Sequence, residues 1–301
     1  MRKYGLKISD SNKNVRFEFP KFDFQIKIPK LTVDLRKIYN MPQIYDQGQL
    51  GSCTATSLSY AYHFLEIKQK NKFIIRPSPL FLYYNERAIE GTILFDDGAM
   101  IYSGITSLKK TGICDNSLWP YNISKFKIMP TSLCYTRAKL CKLLQSTNLQ
   151  QNLITLKLAL TNNNIFVFGF LVYDSFETNN VTNSGIVPMP KINNEQLLGG
   201  HAVVCIGYDD KKKTFEGKFG MFICVNSWGT SWGDKGFFYM PYDYLVNSDL
   251  AGDFWMLNKI TSPISNPKIR HSTKVQTLIK KKRVLYTKNL LKPKINQSKI
   301  M

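Results

Sequence analysis

The stretch Gln47-Gly-Gln-Leu-Gly-Ser-Cys53 leads from a turn-rich loop into a run, from Cys53 to about Gln69, that contains no Gly or Pro. The apolar side chains of this run recur at helical spacing: Ala55, Leu58, Tyr62 and Leu65. This spacing predicts a helix that begins at Ser52 or Cys53 and is buried along one side. Amide groups at a helix N-terminus favour a thiolate over a thiol, so Cys53 is a candidate nucleophile. The alternative is a small buried apolar residue.

The rest of the chain is divided between helical and strand patterns. Weaker helical patterns cover 79–89, 101–110 and about 152–161, whereas from Ile165 onward the apolar runs are typical of strands separated by turns. Helices therefore precede strands, which predicts an α+β architecture rather than alternating βαβ units. The segment 177–194 is rich in Asn and is expected to be a surface loop.

The composition is that of a globular protein, with 301 residues of which 44% are hydrophobic and 21% charged. No run reaches the roughly 18 apolar residues that a membrane helix needs, so no membrane span is expected. The first 30 residues lack the continuous apolar stretch of a secretory signal. We therefore expect an intracellular, cytoplasmic protein whose six cysteines are thiols in a reducing compartment.

The formal net charge of +20 is concentrated at the two ends of the chain. Residues 262–301 hold eleven Lys or Arg and no acid, and residues 1–32 have a net charge of +5, which leaves +4 for 33–261. This distribution predicts a basic N-terminal extension, a nearly neutral domain and a basic C-terminal tail. The tail is a candidate for binding nucleic acid or an anionic surface, and the alternative is a solvated extension.

A second motif, Gly199-Gly-His201-Ala-Val-Val-Cys-Ile-Gly-Tyr208, puts a histidine at the head of an apolar strand. There the ring could pair with a thiolate and later protonate a leaving amine. The alternative is a core histidine with satisfied hydrogen bonds. His63 in the predicted helix and His271 in the basic tail are expected to be ordinary residues.

A third motif, Asn226-Ser-Trp-Gly-Thr-Ser-Trp-Gly233, follows the next strand. If 203–208 and 219–225 pair as a hairpin, Asn226 returns to the neighbourhood of His201. Its amide oxygen could then accept the imidazole N–H, and Trp228 could shield that hydrogen bond from water. The alternative is a simple turn formed by Asn and Gly.

In this order and spacing, the three motifs resemble the papain family of cysteine proteases. The resemblance also includes Val33-Asp-Leu-Arg36 and the segment 97–121, and it spans about Val33 to Tyr242. It implies a two-lobe α+β fold with the active site between the lobes. The helical lobe would cover about 47–160, and a lobe of antiparallel sheet or barrel about 161–261.

The resemblance also implies roles for individual residues. Cys53 would be the nucleophile, His201 the general acid and base, and Asn226 the residue that orients His201. Gln47 and the Cys53 backbone N–H would form the oxyanion hole. Six further residues would contact substrate: Gly51, Ser52, Gly98, Ala99, Gly200 and Trp228.

Several positions depart from the family pattern. Thr54 replaces the usual aromatic residue after the nucleophile, Leu50 replaces a cysteine that forms a disulfide, and Ala99 replaces a common glycine. The residues before Val33 are fewer than in the usual pro-region. Their apolar alternation over 17–28 suits an extended segment that either crosses and inhibits the cleft or packs elsewhere on the domain. The enrichment in Asn, Lys and Ile is similar to that of cathepsin-like enzymes of giant DNA viruses, and a virion location is expected only if the source is viral.

Other functions remain open from the sequence alone. A metal site is disfavoured because the cysteines other than Cys53 form no CxxC spacing, and no cofactor is expected. The same three residues could instead transfer acyl groups to an amine or deamidate glutamine, since these reactions share a thioester intermediate. A third possibility is a catalytically idle fold that binds anionic partners through its basic ends.

Overall fold

The structure, a computed structural model, describes residues 3–7 and 30–261. The extended segment predicted at 17–28 and the basic tail at 262–301 lie outside these residues. Among the described residues, no helix is long and apolar enough to cross a membrane.

Helices dominate the first half of the described chain and strands the second. The helices are α1 Cys53–Lys68, α2 Pro79–Glu90, α3 Ile101–Lys110, α4 Ser132–Ala138, α5 Leu153–Thr161, α6 Asn179–Ser184 and α7 Tyr242–Val246. The strands are β1 Thr32–Asp34, β2 Leu143–Asn148, β3 Phe166–Tyr173, β4 Leu197–Lys213, β5 Phe219–Val225, β6 Phe237–Pro241 and β7 Ala251–Ile260. The predicted α+β class is confirmed.

Local sequence explains where the helices begin and end. The Ser78 hydroxyl accepts a hydrogen bond from the Phe81 N–H at the start of α2, and Pro79 occupies its first position. Gly91 ends α2 in the left-handed conformation, with φ of 73°. The patterns at 79–89, 101–110 and 152–161 all predicted helices that the structure contains.

Two local predictions need correction. Helix α1 is buried on nearly every side rather than along one, and only His63, Ile67 and Lys68 are partly exposed. The reason is that α2, α3 and the sheet all pack against it. The segment 177–194 is not simply a surface loop, because it contains α6, whose first turn is capped by the Thr178 hydroxyl.

All pairings in the seven-stranded sheet are antiparallel, in the order β2-β7-β3-β4-β5-β6, with β1 paired to β4. The predicted hairpin is confirmed, because β4 and β5 are neighbours with Val204 opposite Val225. The same strand β4 pairs with β3, where His201 is opposite Phe170. The long strand β4 therefore pairs with three strands, namely β3, β5 and β1.

The β1–β4 pairing requires a glycine at 207. A Cβ there would lie 2.2 Å from the Val33 carbonyl oxygen, so the two backbones could not stay in register. Gly252 in β7 is a matched control, because a Cβ there would meet nothing within 4 Å.

We expect Gly207→Ala to lower the free energy of unfolding by about 2 kcal/mol, because the clash exceeds the roughly 0.5–1 kcal/mol that alanine gains over glycine in a strand. Gly252→Ala should be neutral or slightly stabilising. Urea unfolding of both variants followed by circular dichroism is the measurement. Equal stability of the two variants would contradict the β1–β4 packing described above.

Candidate active site

Cys53 is the first residue of α1, and its side chain is completely buried. Its sulfur accepts hydrogen bonds from the backbone N–H groups of Ala202, Gly5 and Thr54. Helix α1 is fixed to β4 at the same place, because the Ser57 hydroxyl donates to the Ala202 carbonyl oxygen at 2.8 Å. The nucleophile candidate is thus held beside the residue that follows His201.

In this state of the protein, burial outweighs the preference for a thiolate that the sequence predicts at the start of α1. The pKa of the thiol is raised to about 11, mainly by burial and to a smaller extent by the nearby Glu86 carboxyl, although the three N–H groups lower it. Desolvation disfavours a thiolate more strongly than the helix N-terminus favours it. One of the three N–H groups, that of Gly5, belongs to the described N-terminal residues 3–7.

His201 and Asn226 lie together, as the hairpin predicts. The distance from His201 Nε2 to Asn226 Oδ1 is 2.9 Å, and both side chains are buried. Asn226 Oδ1 also accepts the Ser227 N–H at 2.8 Å, which identifies this atom as the oxygen, so His201 Nε2 carries the proton. The Trp228 ring stacks on the imidazole with the two centroids 5.1 Å apart.

The Gln47 side chain is fixed at both of its ends. Its Oε1 accepts a hydrogen bond from the Ser227 hydroxyl, and its Nε2 donates to the Leu50 carbonyl at 2.9 Å. The same Nε2 also lies 3.4 Å from the Lys3 carbonyl oxygen in the cleft. Sequence reasoning missed Ser227, whose hydroxyl sets the direction in which the amide of Gln47 points.

A second group of polar residues supports the loop before Cys53. Asp96 accepts the Gly51 N–H at 3.1 and 3.2 Å with its two carboxylate oxygens, and it accepts the Tyr83 hydroxyl at 2.5 Å. The Tyr83 oxygen in turn accepts the Gly98 N–H at 3.1 Å. Sequence reasoning missed both residues, because the pattern over 79–89 predicts a helix at Tyr83 but not the partner of its hydroxyl, and Asp96 belongs to no periodic pattern.

Two neighbours of the nucleophile have partners that the sequence did not indicate. The Ser52 and Tyr121 hydroxyls lie 2.5 Å apart, and the Tyr121 hydroxyl also donates to the Gln47 carbonyl. Thr54, at the position where the family has an aromatic residue, donates to the buried Glu86 carboxylate at 2.8 Å. Burial raises the pKa of Glu86 to about 8.

Residues 3–7, here called the cleft segment, lie across the active site. Ala99 N–H donates to the Gly5 carbonyl at 2.7 Å, and Lys7 N–H donates to the Ala99 carbonyl at 3.0 Å. On the opposite side, Leu6 N–H donates to the Gly200 carbonyl at 3.0 Å. The segment pairs with Ala99 rather than with the N–H of Gly98, which is bonded to Tyr83.

Side chains of the cleft segment also contact the site. The Tyr4 ring meets His201 and Trp228 edge to face, with centroids 5.8 and 6.1 Å apart, and its hydroxyl donates to Glu177. Two ion pairs hold its ends, Lys3 Nζ to Asp96 Oδ2 at 2.7 Å and Lys7 Nζ to Glu90 Oε2 at 3.1 Å.

Leu6 occupies the apolar part of the cleft. It lies against Gly169 of β3, where an added Cβ would come within 2.4 Å of Leu6 Cδ2. Beside it is a cavity of about 160 Å³, whose lining includes Phe170, Leu250 and Ala251. Among residues 3–7 and 30–261, no group of three or more His, Cys, Asp or Glu could hold a metal ion.

Comparisons with known proteins show which family the chain belongs to. The family model described as papain family cysteine protease matches residues 29–252. An uncharacterised peptidase C1-like protein of Acanthamoeba polyphaga mimivirus is 44% identical over 244 residues, which are 77% of this chain and 76% of that protein.

Solved structures are similar as well. Xylellain, a cysteine protease from Xylella fastidiosa, matches with a TM-score of 0.73 and 36% identity over 86% of this chain and 96% of its own. Procathepsin B S9 from Trypanosoma congolense shares the fold, with a TM-score of 0.66 and 19% identity over 86% of each chain. The fold and the comparisons define a cysteine-type peptidase. The chain belongs to the papain family of cysteine proteases.

Proposed function

We propose that the protein is an endopeptidase that cleaves peptide bonds with Cys53, His201 and Asn226 through a thioester intermediate. The observation that supports this most strongly is the buried 2.9 Å contact between His201 Nε2 and Asn226 Oδ1. His201 is also next in the chain to Ala202, whose backbone N–H donates to the Cys53 sulfur. Asn226 keeps a proton on Nε2, so Nδ1 of the same ring is the nitrogen that can accept the thiol proton.

In the first half of the reaction, His201 takes the thiol proton and the sulfur attacks the carbonyl carbon of the substrate. The developing oxyanion accepts hydrogen bonds from Gln47 Nε2 and the Cys53 backbone N–H. The imidazolium then gives its proton to the leaving amine as the C–N bond breaks, and a thioester on Cys53 remains.

In the second half, His201 takes a proton from water, and the resulting hydroxide attacks the thioester. The second oxyanion uses the same donors, and its collapse releases the carboxylic acid and restores the thiol. An added amine in place of water would give acyl transfer, so product analysis separates hydrolysis from that alternative.

We expect Cys53→Ser and His201→Ala each to abolish hydrolysis of quenched fluorescent peptides, because each removes an atom that forms or breaks a bond. Two control variants should keep most of the activity: Cys141→Ser, at a cysteine outside the site, and His63→Ala, at the other described histidine. Circular dichroism of all four variants shows whether they fold. Substantial turnover by a folded Cys53 or His201 variant would reject the assignment.

Gln47→Ala should lower kcat by roughly a hundredfold, because it removes one donor to the oxyanion. Gln49→Ala, an exposed glutamine on the same loop, should leave kcat unchanged. Steady-state kinetics of both variants tests the role. A change of KM alone in Gln47→Ala would show that the side chain binds substrate without stabilising the oxyanion.

We also propose that the cleft segment inhibits the enzyme. The segment forms backbone hydrogen bonds with Ala99 and Gly200, where an extended substrate would pair. Its Tyr4 ring packs against His201 and Trp228. The group that faces the Cys53 sulfur is the Gly5 N–H rather than a carbonyl carbon. A thiol that faces an amide N–H and is protonated cannot attack. The basic tail, on which an anionic partner would depend, lies outside the described residues.

Gly5→Ala should release the cleft segment, because a Cβ at position 5 would lie 1.8 Å from the Gly51 carbonyl oxygen. Alkylation of Cys53 by iodoacetamide at neutral pH, followed by mass spectrometry, should then be at least about tenfold faster, since water again reaches the sulfur and its pKa falls. Peptide hydrolysis should rise in parallel.

Lys7→Met is the matched control for this release. It removes one partly exposed ion pair but keeps the Lys7 N–H bond to Ala99, so both rates should change by less than about threefold. If Gly5→Ala leaves the alkylation rate of the folded protein unchanged, the cleft segment is structural rather than inhibitory.

A further inference from the structure

Cys114 and Cys134 lie together in the helical half of the chain, outside the active site. Both side chains are buried, and the Cys114 thiol forms a hydrogen bond with the Cys134 sulfur. The Cys134 sulfur also lies 3.2 Å from the Thr131 hydroxyl oxygen and 3.7 Å from the Leu118 carbonyl oxygen. Two sulfurs in hydrogen-bond contact need only a small further approach to form a bond of about 2.05 Å.

The two thiols differ in how readily they ionise. The hydrogen bond from the Cys114 thiol lowers the pKa of Cys134 to about 6, and the hydroxyl and backbone N–H of Thr131 also lower it, although burial opposes them. The same contact, together with burial, raises the pKa of Cys114. At neutral pH the pair therefore holds one thiolate, on Cys134, beside one thiol. A thiolate next to a second thiol is typical of cysteines that react with peroxide and are then converted to a disulfide.

Helix α4 carries Cys134 at the surface of the domain. Leu133, the preceding residue, is 41% exposed, and Tyr135 on the other side is partly exposed. The Cys134 sulfur is therefore covered by few side chains, and a small uncharged oxidant can reach it more easily than a bulky reagent can.

A second pair of cysteines shows that contact alone does not produce a reactive thiol. Cys205 and Cys224 are opposite each other in β4 and β5, and both are fully buried. Burial is the main cause of the raised pKa of Cys224, and it also raises the pKa of Cys141 to about 12. Cys224 and Cys141 keep their protons at neutral pH, so they are internal controls for a reaction that needs a thiolate.

The chain between Cys114 and Cys134 carries a residue that supports the active site. Tyr121 lies in this part of the sequence, and its hydroxyl donates to the Gln47 carbonyl at 3.0 Å and lies 2.5 Å from the Ser52 hydroxyl. A covalent bond between the two cysteines would close a loop that includes Tyr121. Such a bond removes conformational entropy from the unfolded chain and so favours the folded state.

We propose that Cys134 and Cys114 form a peroxide-sensitive pair whose reversible disulfide stabilises the part of the domain that supports loop 47–53. The Cys134 thiolate attacks one oxygen of hydrogen peroxide, the O–O bond breaks and hydroxide leaves, so that Cys134 becomes a sulfenic acid. The Cys114 sulfur then attacks the Cys134 sulfur, and its proton leaves with the hydroxyl group as water. Two thiols and one peroxide thus give one disulfide and two waters, and a thiol such as glutathione reverses the reaction. None of these steps requires peptidase activity.

The first test treats the reduced full chain with hydrogen peroxide at pH 7, denatures it in N-ethylmaleimide and identifies the cysteine peptides by mass spectrometry. A peptide that joins Cys114 to Cys134 should form at least about tenfold faster than any cross-link at Cys224 or Cys141, and dithiothreitol should separate it again. The Cys53 peptide is followed separately, so oxidation of the nucleophile does not affect the result. Equal maleimide labelling of Cys114 and Cys134 before and after peroxide would overturn the inference.

The second test assigns the two roles. In Cys114→Ser, where the serine hydroxyl can still donate to the Cys134 sulfur, the sulfenic acid should accumulate on Cys134 and be trapped by dimedone. In Cys134→Ser, Cys114 should stay unlabelled because it keeps its proton. Equal dimedone labelling of Cys114 in a folded Cys134→Ser variant would overturn the assignment.

The pH dependence of the cross-link needs no variant. In the unaltered protein its rate of formation should rise with pH through about 6 and become constant above about 7, because it follows the fraction of thiolate on Cys134. A rate that still rises tenfold for each pH unit between 7 and 8 would show that Cys134 is a thiol at neutral pH, and would overturn the inference.

The last test measures the effect on stability by thermal unfolding, followed by circular dichroism without reductant. The cross-linked protein should unfold at least about 5 °C above the reduced protein, because the disulfide closes loop 114–134. Cys141→Ser should show the same shift after peroxide, whereas Cys134→Ser should show none. An unchanged unfolding temperature in fully cross-linked protein would overturn the stabilising role.

Discussion

The pairing of β4 with β3 and β5 is the constraint on which the site depends. It puts His201 opposite Phe170 and Val204 opposite Val225, so that Asn226, the next residue, comes within 2.9 Å of the His201 ring. Helix α1 packs against β4, and the Ser57 hydroxyl fixes it there by donating a hydrogen bond to the Ala202 carbonyl oxygen. A shift of one residue in either pairing would turn His201 away from both partners, because neighbouring residues of a strand point to opposite faces.

Two opposing effects act on the sulfur of Cys53, and the structure shows which is larger while the cleft is occupied. The start of α1 and three backbone N–H groups stabilise a negative charge, yet burial raises the thiol pKa to about 11. Two of the three donors, the N–H groups of Ala202 and Thr54, belong to the folded domain, and the third, the Gly5 N–H, belongs to the cleft segment. The cleft segment therefore pairs with Ala99 and Gly200 and also contacts the sulfur of Cys53.

The parts of the structure that the sequence predicted are those with local patterns. Helix α1, the β4–β5 hairpin and the approach of Asn226 to His201 follow from apolar spacing and from the order of three motifs. The contacts that it did not predict join residues distant in the chain, such as Ser227 with Gln47, Asp96 with Gly51, and Leu6 with Ala99. No periodicity marks these residues, because a single polar side chain on a loop acquires its partner only when the whole domain has folded.

The cleft segment is held by two kinds of contact that differ in what they require of a sequence. Its middle uses backbone hydrogen bonds and a glycine, since Gly5 lies so close to Gly51 and Gly98 that a Cβ on Gly5 or Gly98 would clash with backbone. Any extended peptide could form these backbone hydrogen bonds if its residue at the position of Gly5 has no side chain that clashes with Gly51. Its ends use charge, with Lys3 on Asp96 and Lys7 on Glu90. The backbone bonds therefore supply attachment that does not depend on sequence, while the two carboxylates fix the register.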